Sequence, residues 1–365
     1  MKNLKEWSAE CRSEWRAAVV NAGWGEGEAS TAFRKALGLL PAVEWRSGGL
    51  VCIKPNLTTG KSAEGSGITT PRDAVDAVIG EINRATGEQC DIAIVESDSD
   101  GRIADTFRSL GYDELAKQHR NVRLVDLGKE PSCKVILPDW CGVRMVQLPE
   151  ILLDADHFVN VANLKRHVQE RLTCCWKNLY GLPADHLTRQ RYHQYMGPIL
   201  FALNYLFWGD LSVIDARTAL GGTGPLAGFP AAYGKMIVSR NPLAADVAAA
   251  RVIGEAAGKT PALRHAMRRL GMAEKDLEVV GDAFEAKRLD FVPERVFRAT
   301  RFGLWWRRPA AWLENLALVG MLAGVALRMG KASDFAGGGV QSLGTSLRVA
   351  WRLLSSIDLS EKVYE

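Results

Sequence analysis

The sequence predicts an α/β protein with a mainly parallel sheet, helices on both faces, and a helical Trp-rich C-terminal extension. Three observations predict it. Short apolar runs alternate with amphipathic stretches from about residue 49 to residue 285, the pattern of strands joined by crossover helices. The chain is long enough, at 365 residues with 47% hydrophobic and 24% charged, to bury a core and too apolar for disorder. From Phe297 onward the composition turns aromatic and basic, then uncharged over Leu316 to Leu327.

Taken in order, residues 1–44 read as a helical lead. Met1 to Trp15 mixes charged residues with aromatics, which is not the apolar stretch of an export signal. Residues 45–285 read as the α/β domain. Leu50 to Ile53 is a strand. Thr70 to Asp73 supplies a cap, a proline at the first helical position and an acid in the first turn of a helix through Ala74, Val78 and Ile82. Asp91 to Val95 and Val122 to Val125 are the next strands, with a helix from about Ile103 to Leu110 between them. Residues 133–149 form a pair of extended segments. His157 to Val161, Leu211 to Ile214 and Met236 to Val238 complete the strands, with a glycine-rich loop between the last two. Pro242 to Glu255 and Pro261 to Leu270 are helices, the second ending at Gly271. Residues 286–365 are the helical extension.

The net charge of +4 and the lack of any run of five basic residues speak against a nucleic-acid partner. Seven cysteines form no CxxC pair, and an odd count suits reduced thiols in a cytoplasmic protein. Cys174 and Cys175 are adjacent, a poor arrangement for chelating one metal, and read as packing residues. No metal site is expected.

In open parallel sheets ligands sit beyond the carboxyl ends of the strands. Three strands end in polar residues there: Lys54, Asn56, Thr58 after the first; Glu96, Ser97, Asp98 after the second; Asn163, Lys165, Arg166, His167 after the one near residue 160. Lys54, Lys165, Arg166 and His167 would share one cationic rim, unless each is only a solvated strand end. The loop from Asp215 through Gly222, Thr223 and Gly224 could point backbone N–H groups at a phosphate or carboxylate, or be only a tight turn. It fits neither GxxxxGK[ST] nor GxGxxG, so nucleotide and dinucleotide motifs are lacking. His186 and His193, with Arg189 and Arg191 between them, lie about 10 Å apart along a helix, too far for one metal ion. They read as an anion-contacting rim or plain surface. Asp98 is a candidate proton carrier or a helix-capping turn.

Five motifs occur in order: Ile53-Lys54-Pro55-Asn56; Lys165 with His167; Trp176-Lys177-Asn178-Leu179-Tyr180-Gly181; Gly224-Pro225-x-x-Gly228-x-Pro230; and Asn241-Pro242-Leu243-Ala244-Ala245-Asp246. Together they resemble the domain-of-unknown-function 362 family, over about residues 45 to 285. Two positions depart from its pattern: Arg166 replaces a usual threonine and Asn241 a usual aspartate. The resemblance implies that Asp246 faces the site. Some relatives carry a ferredoxin-like domain with clustered cysteines, which this chain lacks, so it resembles a stand-alone form with no iron–sulfur cluster motif. Other cofactors stay unknown.

The function expected is that of an enzyme acting on an anionic small molecule, phosphorylated or carboxylated, by acid/base chemistry of an isomerase or lyase kind. Catalysis falls to His167, Lys165 and Asp98. Ligand contacts fall to Lys54, Asn56, Ser97, Arg166, Thr173, Lys177, Asn178, Asp215, Gly222, Thr223, Gly224 and Asp246. Crowded cations lower each other's pKa, which favours basic forms near neutrality. The alternative is a noncatalytic binding or assembly factor, working with a separate redox (iron–sulfur) protein or at a membrane. Trp305, Trp306, Arg307, Arg308 and Trp312 precede the twelve uncharged residues Leu316 to Leu327, too few to span a bilayer. Residues 297–327 therefore read as a helix docking on the body or a second subunit, or as a peripheral contact on the inner face of a membrane.

Overall fold

The computed structural model describes residues 2–62, 65–97, 102–185, 189 and 192–298. In chain order the elements are α1 (Leu4–Ser13), β1 (Arg16–Asn21), α2 (Glu28–Leu37), β2 (Leu50–Pro55), α3 (Arg72–Thr86), β3 (Asp91–Glu96), α4 (Ile103–Ser109), α5 (Tyr112–Gln118), β4 (Val122–Asp126), β5 (Ser132–Ile136), β6 (Met145–Pro149), α6 (Glu150–Asp154), β7 (His157–His167), β8 (Arg171–Thr173), α7 (Cys175–Asn178), α8 (Met196–Leu206), β9 (Leu211–Gly221), β10 (Phe229–Ser239), α9 (Pro242–Val252), α10 (Pro261–Leu270) and β11 (Glu278–Gly281).

The main sheet runs in the order β11-β1-β10-β9-β7-β2-β3-β4, with β8 folded back on β7, while β5 and β6 form a separate antiparallel pair. Neighbours from β9 to β4 are parallel, as are β1 and β11. Only β10 runs against both of its neighbours in the row. Alternation along the strands sends successive side chains to opposite faces. Val51, Ile53, Val159 and Val161 join one apolar cluster with Phe33 of α2 and Val75, Val78 and Ile82 of α3. Cys52, Phe158 and Ala162 join the other, with Leu200 of α8, Val247 of α9 and Leu263 of α10. Both faces of the sheet are thus covered, as parallel strands require.

Three expectations need correction. The lead is not purely helical. Arg16-Ala17-Ala18-Val19-Val20-Asn21 forms β1, which fills the gap between β10 and β11. The compact unit also runs to Phe297 rather than stopping at residue 285: Leu289 and Phe297 are buried. Pro71 sits at the cap position before α3 and not within it, because the Thr70 hydroxyl is engaged elsewhere. It accepts the Asn56 N–H at 2.9 Å and donates to the Val161 carbonyl at 2.9 Å.

No helix among the described residues is long and apolar enough to cross a membrane. The Trp-rich reading of residues 305–327 lies outside the described residues, and so does the helical extension beyond Arg298.

Candidate functional site at the ends of strands β2 and β7

Strands β2 and β7 lie side by side, Lys54 opposite Asn160, and β7 continues past the end of β2 as far as His167. There β8 turns back along it, setting Thr173 opposite Lys165 and Arg171 opposite His167. The overhang brings Lys165 across the loop that leaves β2. Its Nζ donates to Asn56 Oδ1 at 2.6 Å, to the Ile68 carbonyl at 2.8 Å and to Thr58 Oγ1 at 3.3 Å.

Asparagine amides extend this contact into a chain. Asn56 Nδ2 donates to Asn178 Oδ1 at 2.8 Å, and Asn178 Nδ2 donates to Asn160 Oδ1 at 2.9 Å and to the Lys54 carbonyl at 3.1 Å. Asn160 Nδ2 donates to the Cys175 carbonyl at 2.8 Å. Each amide uses a donor and an acceptor, so α7 is held against the strand ends with little freedom to rotate. Lys177, the residue before Asn178, is presented there half-buried, 5.6 Å from the centre of the Tyr180 ring.

The two buried lysines differ in what surrounds them. Lys54 Nζ lies 2.6 Å from Glu96 Oε1, with both side chains buried, and also donates to the Pro55 carbonyl at 2.6 Å. Glu96 is held by the N–H groups of Leu57 and Ser97, each at 2.9 Å. Burial pushes the Lys54 pKa down against the pull of Glu96, and the pair is electrically closed. Lys165, 1% exposed, meets only neutral oxygens among the described residues. Burial, then the charge of Lys177, lowers its pKa from 10.5 to about 7. Lys177 falls to about 8 by burial, offset by Glu170. A carboxylate or phosphate brought here would restore the missing countercharge.

His167 Nδ1 accepts the N–H groups of Gln169 and Glu170, both at 3.2 Å. The ring proton therefore sits on Nε2, for which the described residues offer no partner. Burial, followed by the charges of Lys177, His193 and Lys165, keeps the imidazole pKa well below its usual value. His167 is a neutral N–H donor here, not a poised base.

Several expected ligand contacts are used inside the fold. Arg166 points to the opposite face from Lys165, as strand alternation dictates. It ion-pairs with Glu255, donates to the Leu289 carbonyl at 2.7 Å and stacks 5.1 Å from the Phe291 ring centre. Asp215 accepts from Arg217 at 2.9 and 2.6 Å, and Arg217 also grips Asp73 at 2.7 and 2.6 Å and lies 4.0 Å from the centre of the Trp24 ring. Burial raises the Asp215 pKa while Arg217 draws it back. Three donors of the glycine-rich loop are engaged as well: Gly222 N–H on the Asp290 carbonyl at 2.9 Å, and Gly224 N–H and the Thr223 hydroxyl on the Ala227 carbonyl at 2.7 and 2.8 Å. Gly224 must be glycine because a Cβ would lie 1.8 Å from the Arg166 carbonyl oxygen. The loop packs on the β7 turn, and its two glycine N–H groups face the fold.

Asp246 does not reach outward either. Its Oδ2 accepts the Trp176 N–H at 3.1 Å, Oδ1 has no partner among the described residues, and burial raises its pKa well above the usual carboxylate range. It caps the start of α7 and so acts on Lys177 and Asn178 from behind. Ser97 donates to the Gly181 carbonyl and accepts from Arg189 Nη1 at 3.1 Å, on the flank of the site. Cys174 and Cys175 are buried, and burial raises both thiols well above their ordinary range. His193 lies 6.0 Å from Tyr180, centre to centre. Asp98, His186 and Arg191 lie outside the described residues.

The sequence reading left out Glu96 as the partner of Lys54, Thr58 and the Ile68 carbonyl as contacts of Lys165, and Asn160 as a link in the amide chain. Glu96 was findable: it follows the strand next to β2 at nearly the same height and is a carboxylate ending an apolar run.

A family model described as a domain of unknown function (DUF362) matches residues 51–251, a span that holds all five motifs and the residues around Lys165. A thylakoid-associated protein, sll1697, of Synechocystis sp. is 27% identical over 209 residues, which is 55% of this chain and 62% of that protein. The chain thus spans less than two thirds of that relative's length. Among solved structures, the lactate racemase apoprotein of Thermoanaerobacterium thermosaccharolyticum is similar with a TM-score of 0.38 and 12% identity, over 56% of this chain and 50% of that one.

Proposed function

The chain belongs to the DUF362 family, and we propose that it is an enzyme that binds an anionic small molecule where β2 and β7 end and moves a proton on it. The observation that carries this reading is the buried Lys165 amine, ringed by neutral oxygens and, among the described residues, with no carboxylate in contact. Lys165 and Lys177 attract the anion. With its pKa lowered to about 7, Lys165 has a free amine available near neutrality, suited to accepting a proton from carbon next to a carbonyl or carboxyl group. His167 donates its Nε2 proton as a hydrogen bond to the oxygen that gains charge. Asn56, Asn178 and Asn160 fix the geometry. Isomerisation and elimination both begin with this proton removal.

A noncatalytic role at a membrane surface has one observation in its favour, the thylakoid association named for the Synechocystis relative. The basic and aromatic residues 305–312 would supply the contact.

The test is mass spectrometry of small molecules that co-purify with the full chain. An acidic metabolite retained by the native protein and missing from a folded Lys177→Met variant supports the site. Equal retention by both proteins refutes it.

A further inference from the structure

The three hydrogen-bond directions of Lys165 are not equivalent. Two end on fixed carbonyl oxygens, Asn56 Oδ1 at 2.6 Å and Ile68 O at 2.8 Å, which can only accept. The third is long, 3.3 Å to Thr58 Oγ1. Thr58 is exposed whereas Asn56 is buried, so this third direction is the one that leads outward. A threonine hydroxyl rotates. It can accept from the ammonium or donate to the lone pair of the neutral amine. The cage therefore holds two N–H bonds in place and directs the lone pair of the neutral amine toward Thr58, the exposed one of its three partners. Lys54 offers the contrast, with its amine locked by Glu96 at 2.6 Å.

We propose that Lys165 Nζ is a nucleophile that forms an imine with the aldehyde or ketone carbon of a small anion, whose charged group sits by Lys177. The inference rests on the anion site proposed above and changes only what the lone pair meets. In the step, the nitrogen lone pair forms a C–N bond and the carbonyl π electrons move to oxygen, which takes one of the two amine protons. The resulting carbinolamine then loses its hydroxyl group with the second amine proton as water, leaving C=N. No oxidant or reductant enters. A desolvated lysine beside a second cation is the arrangement that activates an amine for this chemistry. The lowered pKa of Lys165, about 7, agrees with it: near pH 7.5 an ordinary exposed lysine is neutral in roughly one molecule per thousand, and burial of Lys165 raises that fraction.

The experiment incubates the full chain with glyoxylate and cyanoborohydride at pH 7.5 and maps reduced adducts by peptide mass spectrometry. Lys165 is expected to label roughly tenfold or more ahead of the exposed Lys2, Lys117 and Lys129. Glycolate, which has the carboxylate without the carbonyl, should slow that labelling. Adducts confined to exposed lysines, with glycolate still binding in calorimetry, overturn the imine and leave the anion site standing. Neither Lys165 adduct nor glycolate binding overturns both. A Lys165→Arg variant that folds and still gives the same adduct peptide map also overturns the assignment.

Discussion

Replacing Lys165 by methionine should change how stability depends on pH more than it changes stability itself. The folded chain holds this amine at about 7 against 10.5 for a free lysine, so between those values the unfolded chain binds more protons. Stability must therefore rise with pH across this window. Below pH 7 the buried ammonium carries the full cost, and above pH 10.5 the amine is neutral in both states and the cost is gone. At about 1.4 kcal/mol per pH unit the whole effect is on the order of 5 kcal/mol, of which about half is recovered between pH 6 and pH 9. Methionine removes the titration but also leaves Asn56 Oδ1 and the Ile68 carbonyl without their donor, at about 1 kcal/mol each. The variant should thus be more stable than the native chain by about 3 kcal/mol at pH 6 and about equal to it at pH 9. Urea unfolding of both proteins at the two pH values measures this, and titrating groups distant from Lys165 cancel in the double difference. Parallel pH profiles for the two proteins would refute the claim that Lys165 is an uncompensated buried cation.

Glu96→Gln strips the countercharge from Lys54 and should cost about 3–5 kcal/mol in urea unfolding; a cost under about 1 kcal/mol would mean that the pair is not closed as described. Arg166→Ala should lower stability by about 2–4 kcal/mol, since Glu255 loses one of its two arginines, while sulfate binding measured by calorimetry stays the same. Asp246→Asn keeps an oxygen for the Trp176 N–H and should be nearly neutral. Asp246→Ala removes the cap and should cost about 1–2 kcal/mol together with weaker sulfate binding, because Lys177 and Asn178 shift with α7.

Much of this architecture can be read from alternation of apolar runs with helical patterns, since each parallel strand is buried on both faces and stands out as Leu50 to Ile53 or Asp91 to Val95 do. Strand β1 escaped because Ala17-Ala18-Val19-Val20 is short, follows directly on a helix and pairs with strands more than two hundred residues away. The site was half legible. The rule that ligands gather at carboxyl ends of strands brought Lys54, Asn56, Lys165 and His167 to one region, and the structure joins Lys165 to Asn56 and, through Asn178, to the Lys54 backbone. The same rule misassigned Arg166 because it ignored the two-residue period that turns 165 and 167 one way and 166 the other. Asp215 and the Gly222 to Gly224 loop failed for a different reason. Their partners, Arg217 with Asp73 and the Asp290 carbonyl, are set by tertiary packing, and a polar residue at a strand end looks the same in sequence whether its bonds are spent inside or free for a ligand. Among the described residues, what distinguishes Lys54 from Lys165 is a carboxylate in contact, a difference that the folded chain reveals.

The most direct measurement is of protons taken up when sulfate binds at pH 8, by calorimetry in buffers of different ionisation enthalpy. An anion that supplies the missing countercharge must raise the pKa values of Lys165 and Lys177, so net proton uptake accompanies binding, and both vanish in the Lys165→Met, Lys177→Met double variant. Sulfate binding with no proton uptake, or binding that persists unchanged in the double variant, would contradict the account.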